Sequence, residues 1–224
     1  MIRISNDHKR LFPRYKDDNN GSLKCLLKSI YLVESKYIVY SNFEGKVVDG
    51  LERVFAYELY RQWANKIEKN KKLSGFTING EVYKNTNKFY PKLKKKTFPD
   101  LVMHSGDGNI NKQEIICEIK RMEGVSHKDI KKDIEKLWHF TNFKNKFKFG
   151  VFILVGATLE WLINEKGINI EEICKELTKF DKKKSKKIIC ISYIIDKGTE
   201  KKQMEICRLP ELIRLSKNMT QMNE

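Results

Sequence analysis

Two opposite charges, Glu118 and Lys120, lie within the otherwise apolar segment IICEIKR (residues 115–121). Alternate residues of a β-strand share a face, so the two side chains are expected to point the same way. Burying such a pair is costly unless partner groups or a metal ion compensate. The spacing therefore indicates a site where a carboxylate and an ammonium group act together. An exposed ion pair on an edge strand is the alternative.

A second carboxylate, Asp100, stands near the start of the preceding segment TFPDLVMH (97–104). The connecting residues SGDGNINK have the composition of a turn, so the two segments are predicted to pair as a hairpin that brings Asp100 near Glu118. Carboxylate oxygens are hard ligands that suit Mg²⁺ or Mn²⁺. A metal held there would polarise a phosphodiester and activate a water, while Lys120 would position the water or neutralise phosphate oxygens.

Pro99–Asp100 followed by Glu118-Ile119-Lys120 resembles the motif of the PD-(D/E)xK nuclease superfamily, which has a restriction-endonuclease-like fold. The Asp/Glu-x-Lys triplet alone is a weak signal, because this chain also contains it starting at Asp7, Glu34, Glu44, Asp129, Asp181 and Glu200. Only the copy at Glu118 lies in an apolar strand that follows a Pro-Asp segment across a turn. The segment DIEKL (133–137) is also similar to an Asp-x-Glu-Lys-Leu stretch of several branches, and the resemblance covers about residues 50–156.

The resemblance implies a further acidic residue on the helix before the sheet, which completes the metal site. Segment 51–69 is predicted to be this helix, because its apolar residues recur at helical spacing. Glu52 falls within the apolar arc and is the expected third ligand beside Asp100 and Glu118, with Glu58, at the edge of the arc, in reserve. A first-turn glutamate favoured by the helix dipole is the alternative interpretation of Glu52.

The predicted order of elements is helix, three strands, helix, strand, helix, strand. Continuous apolar strands separated by helices indicate an α/β fold with a mixed central β-sheet covered on both faces. The resemblance makes this a restriction-endonuclease-like core with additions at both ends. We divide the chain into an N-terminal arm and helix (1–49), a nuclease-like core (50–200) and a C-terminal extension (201–224).

Charge points to a polyanionic partner: 45 lysines and arginines against 29 acidic residues give a net charge of +16. Nucleic acid is the commonest such partner, with an anionic membrane surface or solubility alone as alternatives. The basic run PKLKKKTF (91–98) leads into the Asp100 segment. Candidate phosphate contacts are Lys92, Lys94, Lys95, Lys96 and Arg121. A solvated loop is the alternative for the run, and His104 is either a general base or a surface histidine at a strand end.

Five cysteines with no C-x-x-C pair suggest reduced thiols. The N-terminal residues lack a secretion signal, and the longest apolar run (149–163) is broken by Glu160 and too short to cross a bilayer. We therefore expect a cytoplasmic protein with no membrane partner.

The resulting functional hypothesis is a Mg²⁺- or Mn²⁺-dependent endo- or exonuclease. DNA is the favoured substrate, in restriction, repair or defence by family analogy alone. A catalytically inactive nucleic-acid-binding module and a regulatory subunit of a larger complex are the alternatives. A homodimer or a partner protein is left open.

Overall fold

The computed structural model describes residues 1–5, 15–41, 47–49, 52–80, 99–107, 112–123, 125–142, 147–177, 180–196 and 198–222. The strands, in chain order, are β1 (Ile2–Ser5), β2 (Val39–Ser41), β3 (Val47–Asp49), β4 (Phe76–Gly80), β5 (Leu101–Ser105), β6 (Gln113–Arg121), β7 (Phe149–Val155), β8 (Ile188–Ile195) and β9 (Lys202–Arg208). The α-helices are α1 (Ser22–Leu32), α2 (Glu52–Glu68), α3 (His127–Asn142), α4 (Leu159–Asn164), α5 (Ile170–Glu176) and α6 (Leu209–Met222).

One mixed sheet of seven strands has the order β1-β9-β8-β7-β6-β5-β4, and β2 pairs with β3 in a separate two-stranded ribbon. Strands β6, β7 and β8 are parallel to one another, whereas the remaining neighbours in the large sheet are antiparallel. The predicted α/β class with a mixed central sheet is confirmed. The sheet also takes β1 and β9 from the segments on either side of the proposed core, so it crosses both boundaries suggested by the sequence.

Helices cover both faces of the sheet, which explains why its central strands are apolar throughout. Helices α1 and α2 pack with one set of alternate strand residues, including Cys117 and Ile119 of β6. Helix α3, together with α4, α5 and α6, packs with the other set, including Ile116. All seven residues of β7 are buried between these two layers. A strand buried on both faces has no place for a solvated charge, so any charge in it needs a partner.

The β5–β6 hairpin predicted from the turn composition is confirmed, with Leu101 opposite Cys117. The pairing irregularity between Met103 and His104 lies at the far end of β5, away from Asp100. Helix α3 then connects β6 to the parallel strand β7. Ser126 caps the start of this helix, because its hydroxyl accepts a hydrogen bond from the Asp129 backbone N–H at 3.2 Å.

Several short elements have no counterpart in the sequence prediction: β1, the β2–β3 ribbon and the six-residue helix α4. Within the proposed C-terminal extension, residues 204–216 form the end of β9 followed directly by α6. Elements of three to six residues span too few repeats for a period to emerge. Among the described residues, no helix is both long and apolar enough to cross a membrane.

Close packing of α3 on β7 fixes the helix position, and it occurs at Gly150. A Cβ added there would lie 3.1 Å from Thr141 Cγ2 and 3.2 Å from Leu137 Cβ, both on α3. We expect Gly150→Ala to lower the free energy of unfolding by about 1–3 kcal/mol, because the helix must shift to relieve the overpacking. Urea denaturation followed by circular dichroism measures the change.

Gly75→Ala is the matched control, because a Cβ at Gly75 would meet nothing within 4 Å. This variant should be within about 1 kcal/mol of wild type, or slightly more stable through its smaller unfolded-state entropy. Equal stability of the two variants would contradict the close approach of α3 to the sheet.

Candidate functional site

The carboxyl end of β6, the amino end of β5 and the first turn of α2 meet at one end of the sheet. The register that pairs Leu101 with Cys117 places Asp100, just before β5, opposite Glu118. Glu52 is the first residue of α2 and lies within ion-pair distance of Lys120. The structure therefore brings together the four residues that the sequence proposed for catalysis.

Asp100 continues the hairpin ladder with its side chain. Its Oδ2 accepts a hydrogen bond of 2.6 Å from the backbone N–H of Ile119. This bond satisfies a strand N–H beyond the last paired residues of β5, so the carboxylate is held in a fixed position. Burial raises the pKa of Asp100, although the bond from Ile119 and the charges of Lys120 and Lys136 oppose the shift.

Glu118 is fully buried, with 0% of its surface exposed. Its Oε2 accepts a hydrogen bond from Lys136 Nζ on α3. Its Oε1 is buried and has no hydrogen-bond partner within the described chain. Burial raises the pKa of Glu118 well above its ordinary value, and the charges of Asp133 and Asp100 add to that shift while Lys136 opposes it. An unpaired buried carboxyl oxygen is costly, because no hydrogen bond within the described chain offsets its loss of hydration.

Lys120 joins the two helical layers. Its Nζ lies 3.4 Å from Glu52 Oε2 on α2 and 3.4 Å from Asp133 Oδ2 on α3. Asp133 is 2% exposed, and its other carboxylate oxygen lies 3.0 Å from Lys136 Nζ. Burial lowers the pKa of Lys120, but the surrounding carboxylates outweigh it and the net shift is upward. Lys120 is therefore a firmly protonated cation in this arrangement.

We call these interacting residues the charge cluster: the carboxylates Glu52, Asp100, Glu118 and Asp133 and the ammonium groups of Lys120 and Lys136. Four carboxylates against two ammonium groups leave an excess of two negative charges when all are ionised. The pKa of Glu52 is also raised, first by burial, against the opposing charge of Lys120. The pKa of Lys136 is raised by Glu118 and Asp133 despite burial. The carboxyl groups of Glu52, Asp100 and Glu118 therefore hold their protons more tightly than free carboxyl groups do. The cluster also contains fewer ammonium than carboxyl groups.

The arrangement of the described carboxylates limits how a metal ion could be held here. In the parts of the chain that the structure describes, no three His, Cys, Asp or Glu side chains are grouped so as to hold an ion by themselves. Mg²⁺ commonly takes only one or two protein carboxylates and completes its octahedron with water and substrate phosphate. Asp100 and the unpaired Oε1 of Glu118 are the residues that would supply them, with Glu52 beside Lys120.

Glu58, the reserve candidate, is engaged elsewhere. Its two carboxylate oxygens accept hydrogen bonds from Arg61 at 2.7 and 2.8 Å, and Gln62 donates a third at 2.7 Å. Burial tends to raise the pKa of Glu58, but these bonds dominate and lower it.

His104 also lies away from the cluster, because its ring contacts Asn79 Oδ1 and the Ser105 carbonyl, each at 2.9 Å. The strand-end position suits the surface interpretation of this histidine.

Arg121, expected to contact phosphate, is turned into the protein instead. It is 6% exposed, and its Nη1 donates a 2.9 Å hydrogen bond to the Ile38 carbonyl while Nε lies 3.3 Å from Glu123 Oε2. This is a correction: the guanidinium ties β6 to the segment after α1 and is not presented to a nucleic acid. The other four expected phosphate contacts, Lys92, Lys94, Lys95 and Lys96, lie outside the described residues.

Asp133 and Lys136 are site residues that sequence reasoning did not assign, although DIEKL was noted for its resemblance. A signal was present, because both charges interrupt the apolar face of α3 that contains Ile130, Ile134 and Leu137. The same argument selected Glu52 on α2.

Comparisons of the chain with models of protein families, with curated proteins and with solved structures give no significant match.

Replacing Glu118 with Gln should remove a pH dependence of stability. Because the folded protein holds the Glu118 proton more tightly than the unfolded chain, stability falls as pH rises above the ordinary carboxyl pKa of 4.5. In EDTA at pH 8 we expect Glu118→Gln to melt about 2–4 °C above wild type. The difference should shrink toward pH 5, as measured by calorimetry.

Glu68→Gln is the control, because Glu68 is an exposed carboxylate at the end of α2. Its melting temperature should follow that of wild type across the pH range. The prediction would be wrong if wild type melted above Glu118→Gln at pH 8 and that advantage shrank toward pH 5. The raised pKa values of Lys120 and Lys136 act only above about pH 10 and leave this window unaffected.

Proposed function

We propose that the chain is a metal-dependent nuclease with a restriction-endonuclease-like core, which hydrolyses phosphodiester bonds at the charge cluster. The observation that carries the proposal is the convergence of Asp100, Glu118 and Glu52 around Lys120, with one buried Glu118 oxygen unpaired. When all of its groups are ionised, the cluster has an excess of two negative charges, which equals the charge of one divalent cation. A helix, three antiparallel strands and a second helix present these groups at one end of the sheet, in the order that the motif requires.

Each side chain has a distinct role in this proposal. When bound, Mg²⁺ or Mn²⁺ supplies Lewis-acid polarisation of the phosphodiester and lowers the pKa of a coordinated water. Asp100, held by the Ile119 N–H, and Glu118, held by Lys136, offer carboxylate oxygens in fixed positions. Lys120, as a protonated group, donates hydrogen bonds to a phosphate oxygen or orients the attacking water, and it is not the base that removes the water proton.

We further propose DNA as the favoured substrate and a cytoplasmic location. The net charge of +16 suits a nucleic acid, and it does not distinguish DNA from RNA. All five cysteines are free and buried, which suits a reducing compartment. Restriction, repair and defence remain the settings suggested by family analogy.

One observation favours a non-catalytic nucleic-acid-binding role as the second candidate. Lys136 already pairs with Glu118, and Lys120 already lies between Glu52 and Asp133, so the carboxylates are partly neutralised by the protein itself. A module of this kind would bind nucleic acid with strong salt dependence and leave it intact with any divalent ion.

Cleavage assays with site variants test the nuclease proposal. We expect Asp100→Asn, Lys120→Met and Glu52→Gln to reduce cleavage of single- or double-stranded DNA or RNA in Mg²⁺ or Mn²⁺ by about 100-fold or more, because each removes a charged group at the reacting phosphate. Initial rates on labelled oligonucleotides give the measurement, and circular dichroism checks folding. Equal cleavage by wild type and all three variants would indicate a contaminating nuclease and overturn the assignment.

Glu58→Gln is the matched control on the same helix, because Glu58 bonds Arg61 and Gln62 and does not join the charge cluster. Its rate should stay within about twofold of wild type at a temperature where it remains folded. A loss as large as that of Glu52→Gln would move the third carboxylate from Glu52 to Glu58.

Metal binding has a readout that is independent of cleavage. With 10 mM Mg²⁺ and a Kd of about 1 mM, linkage stabilises the folded protein by about 1.4 kcal/mol, or about 3–5 °C in melting temperature. We expect this rise for wild type and its loss in Glu118→Gln and Asp100→Asn. Potassium chloride at matched ionic strength is the control, and an equal rise in wild type and both variants would place the ion elsewhere.

A further inference from the structure

A cleft of about 660 Å³ opens beside the charge cluster, on the side of α2 and the edge strand β4. Glu52 and Asp100 of the cluster line it, together with Arg53, Tyr57 and Tyr60 along α2 and Ile78 on β4. The volume lies within the range of about 300–1,000 Å³ found for small-ligand sites. The cleft therefore has room for one or two nucleotide units next to the carboxylates.

Two tyrosines of this wall are unusually exposed. Tyr57 is 64% and Tyr60 41% exposed, whereas the other two aromatic residues of α2, Phe55 and Trp63, are fully buried. Residues three apart on a helix are neighbours on its surface, so the two rings form one aromatic surface. Apolar area that remains exposed at the edge of a cleft commonly marks a contact surface.

The spacing along α2 relates this aromatic surface to the carboxylates. At 1.5 Å per residue, Tyr57 and Tyr60 lie about 6 Å and about 10 Å along the helix from Arg53. Stacked nucleotides of one strand are about 3.4 Å apart, so this stretch of helix matches about three of them. A strand with its reacting phosphate at Glu52 and Asp100 can thus lay its adjoining bases along the tyrosines.

We propose that the cleft binds unpaired nucleobases by stacking on Tyr57 and Tyr60, so that the substrate is single-stranded or has a single-stranded end; this inference rests on the proposed nuclease function. Aromatic rings accept any base face, and such stacking is strong enough to guide a strand without sequence readout. A protein or lipid occupant would explain the rings but not their position beside carboxylates that suit a metal and a phosphate. The net charge of +16 favours the polyanionic occupant.

Base pairing limits this contact to unpaired substrate. In a duplex the faces of the bases stack on their neighbours, so an aromatic side chain reaches a base face only at an end, at a gap or after unstacking. Phosphate contacts, in contrast, are available in single and double strands alike. Comparing the affinity for single strands with the affinity for a duplex therefore separates base stacking from general electrostatic attraction.

Fluorescence anisotropy with the full-length chain in EDTA and 50 mM salt tests the proposal. The probes are a 12-nucleotide DNA, the RNA of the same sequence and the 12-base-pair blunt DNA duplex. We expect Tyr57→Ala/Tyr60→Ala to weaken binding of at least one single strand by about 10- to 100-fold, with less than a twofold change for the duplex. The DNA and RNA arms report which sugar the cleft accepts.

The matched control is Tyr57→Phe/Tyr60→Phe, which keeps both rings and should bind single strands within about threefold of wild type. A 2-aminopurine base in the single strand adds a stacking signal, whose quenching should be kept by the phenylalanine variant and lost by the alanine variant. Both side chains are exposed, so circular dichroism should show all proteins folded. Unchanged single-strand affinity in the alanine variant, or equal loss for the duplex, would overturn the stacking assignment.

Cleavage measured in parallel separates the two proposals. Tyrosine-dependent binding without cleavage of any substrate by wild type supports the stacking surface and removes the nuclease function. Cleavage of single strands at equal rates by wild type and the alanine variant, with unchanged affinity, removes the stacking surface and leaves the nuclease function.

Discussion

Glu118 places a carboxylate in a strand covered by helices on both faces, and the surrounding structure compensates that charge. Lys136 of α3 reaches one oxygen, Asp133 then pairs with Lys136, and Lys120 lies between Asp133 and Glu52 of α2. The fully buried carboxylate of Glu118 alone would cost several kcal/mol without a partner. The network therefore constrains α3 against β6 on one face and the first turn of α2 at the strand end.

The end of the sheet is the one place where such a network can join both helical layers. Lys120 shares its face with Glu118, which is the face covered by α3, whereas α2 packs on the opposite face. Because Lys120 is the last residue but one of β6, its long side chain can pass the end of the sheet and approach Glu52. Asp100 also lies at this end of the sheet. Because β5 begins at Leu101, the Ile119 N–H of β6 donates its hydrogen bond to the Asp100 side chain.

Much of this arrangement follows from periodicity and was predictable. The two-residue period fixed the shared face of Glu118 and Lys120, and the turn composition between the strands fixed the approach of Asp100. The same period also argues against Arg121 as a phosphate contact, because an odd-numbered residue shares the face of Cys117 and Ile119 and points into the α1–α2 layer.

The rest depended on tertiary contacts that a single sequence does not encode locally. Lys136 reaches Glu118 across two elements, and a flexible four-carbon side chain on a helix has many other directions open to it. The apolar arc of α2 already favoured Glu52 over Glu58, but the ion-pair contact of Glu52 with Lys120 of β6 is a tertiary contact that the arc alone does not give. Short elements such as β1 and α4 gain their stability from the sheet and the neighbouring helices rather than from a pattern of their own.

The local and global charges of the molecule oppose each other, and this opposition bears on how the proposed function would operate. The chain as a whole attracts polyanions through its charge of +16, yet the charge cluster carries an excess of negative charge at the point where a phosphate must be placed. On the proposed function, a nucleic-acid strand without a divalent ion would be drawn to the protein as a whole and repelled by the cluster. With the ion, that repulsion would become attraction, so metal and phosphate would each raise the affinity of the other by the same factor. On the proposed function, Lys136 and Lys120 set the size of this coupling, because they hold the carboxyl groups together and offset the charge of only two of the four.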